Sequence, residues 1–159
     1  MIITNHVLSG AVVGAYSSSV GTAFVAGMVS HFCLDAVPHF GVDDEHFMRL
    51  AVPDGLVGLA AIAVIAARTP ASHRARVLAG IVGACLPDMD KPSRQFFGRS
   101  PFPPALDRWH AAIQSESVRR FPVEVATAAA SITALTRLLR ARSGRTGSGQ
   151  RHGVRGTVG

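Results

Sequence analysis

The sequence predicts an all-α fold, a small polytopic membrane helical bundle, on three observations. Long apolar stretches run almost without charge: residues 7–30, 77–87 and 125–136 hold none, and residues 50–67 hold Asp54 alone. The 7–30 run passes the roughly 20 residues that a helix needs to cross a bilayer. Gly and Ala dominate these stretches, and such small residues let helix backbones pack closely in lipid. The mean hydropathy of +0.28 agrees with the pattern but does not decide it. The competing prediction is a soluble all-helical domain with buried central helices, and the length of the 7–30 run argues against it.

The first apolar region covers about 6–36 and is interrupted by Tyr16-Ser17-Ser18-Ser19 and Gly21. It forms either one spanning helix or two short arms, about 6–16 and 20–36, in a re-entrant hairpin. An arm over 6–16 rises only about 16 Å and would not span. The hairpin is preferred, because it returns His31 and Asp35 to the surface that holds His6. Pro38 helps to end the second arm, and 38–49 reads as a polar loop. A helix is predicted from Pro53-Asp54 to Ala67, with Pro in its first turn and Asp at its positive end. Arg68-Thr69-Pro70 ends it. A further helix covers about 72–86. Residues 91–120, with Pro92, Pro101, Pro103 and Pro104, read as a polar connector. The last helix covers about Pro122 to Leu139. Residues 1–140 therefore form the membrane helical domain, and 141–159 a basic, disordered tail.

This layout sorts the charges. All ten acidic residues fall on the face that carries the His/Asp-rich loops, together with seven basic residues. The opposite face receives Arg68, Arg74, Arg76 and the six arginines of 137–159, with no acid. The positive-inside rule then places the basic tail inside a bacterial cytoplasmic membrane and the polar loops outside. The net charge of +6 would also fit nucleic acid, but the tail carries no aromatic platform, so no specific nucleic-acid partner is expected. Membrane lipid is the expected partner, and the sequence leaves the oligomeric state open. The N-terminus lacks a basic region and a clear cleavage site, so a cleaved signal peptide is not expected. Cys33 and Cys85 do not form a CxxC pair and read as small apolar packing residues.

Histidines and carboxylates gather at the ends of the apolar segments. The phrase His31-Phe32-Cys33-Leu34-Asp35-Ala36-Val37-Pro38-His39 closes one, and Leu86-Pro87-Asp88-Met89-Asp90 closes another. His31 and Asp35, four apart, share one helix face and can reach the same cation. His39 and Asp43 repeat the spacing across Pro38 and Gly41. His6, His31, Asp35, His39, Asp88 and Asp90 are the candidate metal ligands. Asp88 and His110 are the candidate catalytic residues, with His110 as acid or base. Capping at a helix end for His31 and Asp35, and a structural turn for Asp88 and Asp90, remain the alternatives. Asp54 reads as a helix-start residue, and Asp44, Glu45 and His46 as a solvated loop. His73 and His152 lie away from the site.

Mixed His/Asp ligation suits zinc, manganese or iron, whereas magnesium prefers carboxylates alone. Zinc or manganese is therefore expected, with magnesium as a further candidate. Such an ion lowers the pKa of water and stabilises a developing oxyanion. The predicted function is metal-dependent hydrolysis of an ester or phosphoester at the membrane surface, and a lipid is one expected substrate. The alternatives are a noncatalytic membrane scaffold or partner-binding protein, and a peripheral protein that uses its basic tail.

Asn5-His6, the His31–His39 phrase and Gly83-Ala84-Cys85-Leu86-Pro87-Asp88-Met89-Asp90 together resemble the YdjM-like family of membrane-bound metal-dependent hydrolases. The resemblance covers the order of elements through about residue 90. It implies several membrane helices and hydrolase activity. It maps most directly onto His6, Asp88 and Asp90, and less directly onto His31 and Asp35. The chain departs from the family's later His-Arg…Thr-His-Ser phrase, where it has Arg108-Trp109-His110-Ala111-Ala112-Ile113-Gln114.

Overall fold

The long N-terminal apolar run breaks at its serines. Ser17 donates to the Val13 carbonyl from both its amide, at 3.0 Å, and its hydroxyl, at 2.8 Å, and so closes a first helix, α1 (Ile3–Tyr16). Ser19 opens a second, α2 (Val20–Asp35), through a reciprocal capping box with Thr22. The structure is a computed structural model that describes residues 1–149 except Asp44, with side chains described to residue 140. The described chain continues with α3 (Phe47–Arg68), α4 (Ala71–Cys85), α5 (Asp90–Phe97), α6 (Pro104–Ile113) and α7 (Phe121–Gly149). Short 3-10 turns at Leu86–Met89 and Val118–Arg120 precede α5 and α7.

The fold is all-α, and α1 and α2 pack against each other as a hairpin. Helix α4 lies against both. Gly80 faces Gly10 and Gly14 so closely that a Cβ on it would lie 2.8 Å from the Gly14 Cα. The core gathers Val7, Leu8, Ala11 and Ala15 of α1 with Ile65 of α3, Val77 and Ile81 of α4, and Leu135 of α7. Outer faces stay apolar: Val25 and Val29 of α2, and Leu56, Leu59 and Val64 of α3, are exposed. Among the described helices, α3 alone is long and apolar enough to cross a membrane, by length and composition, and little of it is buried. Cys33 is exposed rather than packed inside, and Cys85 is half-buried.

Three boundaries differ from expectation. Helix α3 starts at Phe47, not near Pro53, so Pro53 sits inside the helix. The expected 91–120 connector contains α5 and α6. Gly98, at φ 71°, ends α5 in the left-handed conformation that glycine adopts without a Cβ clash. Asp107 then ties the two helices by accepting from Arg94 at 2.6 Å and Ser100 at 3.0 Å. The last helix runs in backbone to Gly149 rather than ending near Leu139. The remainder of the expected disordered tail, 150–159 with His152, lies outside the described residues, as does Asp44.

Asp54 does serve a helix start, but that of α1. Its carboxylate accepts from the Ile3 amide at 2.6 Å, the Thr4 amide at 3.3 Å and the Thr4 hydroxyl at 2.5 Å. It supplies the cap that Ile2 lacks, since Ile2 makes no side-chain cap bond. Asp54→Ala should therefore lower stability by about 1–2 kcal/mol, the usual cost of losing a cap. An unchanged unfolding midpoint would contradict this assignment.

The bundle has two chemically different ends. The start of α1, the ends of α2 and α4 and the start of α7 meet at one end, where the His/Asp residues lie. At the other end Arg76 donates to the Ser17 and Ser18 carbonyls at 3.0 and 3.2 Å, and Arg74 donates to the Thr69 carbonyl at 3.2 Å.

Candidate metal centre

Four segments deliver the polar end. The last turn of α2 carries His31 and Asp35 on one face, both with fully buried side chains. The 3-10 turn after α4 carries Asp88, with its side chain 12% exposed. Pro87 suits the first turn of that element, where an amide hydrogen would have no partner. Helix α6 carries His110, which is held in place because Trp109 packs edge-on against Phe32 at a ring separation of 4.8 Å. Helix α1 brings His6 from its second residue pair, and its ring stacks on His31 at 4.0 Å.

One ligand atom each from His31, Asp35, Asp88 and His110 falls within a sphere in which no two are more than 4.8 Å apart. His31 Nε2 lies 3.0 Å from His110 Nε2 and 3.1 Å from Asp35 Oδ2. His110 Nε2 lies 2.9 Å from the same Asp35 oxygen. Asp88 Oδ1 stands further off, 3.8 Å from His31 Nε2 and 4.0 Å from His110 Nε2. Ligands of a tetrahedral ion with bonds of about 2.0–2.1 Å stand roughly 3.3 Å apart. The observed separations bracket that spacing, so the cluster is geometrically consistent with a divalent metal site.

The hydrogen-bond pattern fits a cation as well. His31 Nδ1 lies 2.7 Å from the Ala84 carbonyl. A carbonyl only accepts, so Nδ1 carries a proton, and in the neutral ring Nε2 then presents its lone pair to the cluster. One proton cannot bridge three atoms, His31 Nε2, His110 Nε2 and Asp35 Oδ2, that stand mutually 2.9–3.1 Å apart. Gln114 Nε2 donates to Asp35 Oδ2 at 2.7 Å, and the Met1 amino group donates to Asp35 Oδ1 at 2.8 Å. His6 is wholly buried, yet neither ring nitrogen has a hydrogen-bond partner. Its Nε2 approaches Asp35 Oδ1 to 3.2 Å without bonding alignment. Such an orphaned buried group needs an explanation, and an ion is one.

Charge around Asp88 keeps it available. Burial alone would raise its carboxyl, but Lys91 above all, with His6 and His31, holds it below the usual carboxylate range. Lys91 pairs directly with Asp88 Oδ1. Burial would depress the lysine, and Asp88 outweighs that and keeps its ammonium charged.

The structure brings His31, Asp35, Asp88 and His110 together, with His6 beside them. His110 Nε2 points into the group, 3.0 Å from His31 Nε2 and 2.9 Å from Asp35 Oδ2. His39 is not brought in. Its Nδ1 lies 2.8 Å from the Val37 carbonyl and its Nε2 3.3 Å from Glu116 Oε1. Its backbone exchanges 3.0 Å bonds with Ser115 and Ser117. The His39 contact holds the Glu116 carboxyl below its ordinary range. Asp90 is outside the four-residue group, with Oδ1 buried, unbonded and 3.8 Å from Lys91 Nζ. Asp43 instead contacts His46 on the exposed loop.

Several contacts were missed from the sequence. Gln114 lies one helical turn beyond His110 and Lys91 three residues beyond Asp88, so their spacing held a usable signal. Glu124 held none. It is 2% exposed and accepts from Asn5 Nδ2 at 2.5 Å and the Phe40 amide at 3.2 Å, across 119 and 84 residues of chain.

Fold and site together define an all-α protein, with one helix fit by length and composition to cross a membrane, and a buried His/Asp cluster suited to a divalent ion. Comparison with family models, curated proteins and solved structures finds no match for this chain.

Proposed function

We propose that this protein is an integral membrane, metal-dependent hydrolase of an ester or phosphoester at the membrane surface. The observation that carries the proposal is the convergence of four ligand atoms from α2, α6 and the turn after α4. A zinc or manganese ion held by His31, Asp35, Asp88 and His110 would supply a Lewis acid and acidify its bound water. Magnesium fits two imidazoles less well. The Ala84 carbonyl fixes the His31 ring, and Gln114 and Asp35 hold each other. Lys91, with its side chain 31% exposed beside Asp88, is placed to attract an anionic substrate group. A cavity of about 50 Å³ between Phe32, Pro87, Phe102 and Leu106 reaches His110 and gives the site an apolar flank.

The exposed apolar faces of α2 and α3 support membrane insertion of the bundle, with α1 and α2 as a re-entrant hairpin. The arginine end would face the cytoplasm and the metal end the outer side of the bacterial cytoplasmic membrane. The resemblance to YdjM-like hydrolases supports this reading through His6 and Asp88, and less directly through His31 and Asp35, whereas Asp90, which it also implies, lies outside the four-residue group.

Burial favours a second reading. His31 and Asp35 are sealed from solvent, and structural metal sites are typically closed by four protein ligands. In that reading the ion staples a noncatalytic membrane scaffold. The test is to strip the detergent-purified protein with chelator and reload it with Zn²⁺ or Mn²⁺. Anomalous scattering should locate an ion among the four side chains. Phosphoester and lipid-ester substrates should be cleaved only by the reloaded protein. An ion without turnover on either class leaves the scaffold reading, and no ion removes both.

A further inference from the structure

We propose a second cation position, on the other side of the same two carboxylates, held by His6 Nε2, Asp35 Oδ1 and Asp88 Oδ2. The inference rests on the first ion being held by His31, Asp35, Asp88 and His110, and makes Asp35 and Asp88 bridges between two ions.

The two oxygens of each carboxylate face different imidazoles. Asp35 Oδ2 stands 3.1 and 2.9 Å from His31 and His110, whereas Asp35 Oδ1 stands 3.2 Å from His6 Nε2. Asp88 repeats the division, with Oδ1 at 3.8 and 4.0 Å from His31 and His110 and Oδ2 at 3.9 Å from His6 Nε2. An independent observation points to a ligand here. The His6 side chain is 0% exposed, and both its nitrogens lack a hydrogen-bond partner. Buried polar groups normally find a partner, and His6 Nε2 stands unbonded 3.2 and 3.9 Å from two carboxylate oxygens, a position open to a cation. The stack on His31 fixes the plane of the His6 ring, with Nε2 toward the carboxylates. The Met1 amino group also donates to Asp35 Oδ1, at 2.8 Å. Paired ions bridged by carboxylates are an established arrangement for hydrolysis.

The full chain, stripped and reloaded with Mn²⁺, tests this by metal count and electron paramagnetic resonance. The expected result is two Mn²⁺ per chain with a spin-coupled signal. His6→Ala should hold one Mn²⁺ with an uncoupled six-line signal, and its second-ion affinity should fall by more than about 100-fold. One uncoupled Mn²⁺ in the unmodified protein overturns the second position and leaves the first intact. No Mn²⁺ in the unmodified protein overturns the first site and this one with it. A folded His6→Ala protein that holds no ion makes His6 a ligand of the first ion and also overturns the proposal. If His6→Ala fails to fold, the count and coupling in the unmodified protein decide.

Discussion

Asp88→Asn is expected to weaken binding of the first ion by more than about 100-fold while the bundle stays folded. Loss of a group that merely orients a ligand typically costs 10–100-fold, and a direct anionic ligand should exceed that. The substitution keeps size and shape and removes only the charge. Asp88 suits the test because its neighbours hold it ionised below the usual carboxylate range, so the ion need not displace a proton from it. Its partner Lys91 is 31% exposed and can turn to water, so no buried charge is stranded. Asp35 would make a poorer test. It is fully buried and contacts His6, His31, His110, Gln114 and the Met1 amino group, so its loss would disturb the fold as well. Metal titration with circular dichroism checks the prediction. Unchanged affinity in a folded Asp88→Asn protein would remove Asp88 from the ligand set.

Gly80→Ala is expected to destabilise the bundle by about 3 kcal/mol, the upper range for overpacking, or roughly 6–12 °C in Tm for a chain of this size. Its Cβ would overlap the Gly10 carbonyl and lie 2.9 Å from the Gly14 amide nitrogen. Both are backbone atoms and cannot swing aside. Helices α1 and α4 would have to separate, which would also shift Ala84, whose carbonyl holds His31. Gly55→Ala is the control. A Cβ there meets nothing within 4 Å, and the higher helix propensity of alanine should leave stability unchanged or raised by about 0.5–1 kcal/mol. Thermal unfolding of the two variants under one set of conditions separates them. Equal midpoints would mean that Gly80 does not mark a close helix crossing.

Local chemistry explains what could be read in advance. The serines after Tyr16 and the Arg68-Thr69-Pro70 stop gave helix ends within a few residues of those observed. Pro53 misled because proline is favoured in a first turn, yet α3 accommodates it one and a half turns in. Residues 91–120 read as a polar connector because α5 and α6 are short, and prolines and a glycine separate them.

By itself the sequence determined the all-α class, the helix breaks after Tyr16 and Arg68, and the His31–Asp35 pair. These follow from residue type and spacing within a few turns of one helix. Only the tertiary structure decided that His110 and Gln114 close on Asp35 across 75 and 79 residues, that Asp54 caps α1, and that Glu124 meets Asn5. It also turned His39 toward Glu116 and left the His6 nitrogens without a hydrogen bond beside two carboxylates. The reason is physical: hydrophobic burial acts without direction, so the apolar pattern says that helices associate but not at what register. The register is set by close contacts such as Gly80 against Gly10, and those arise only where the helices cross.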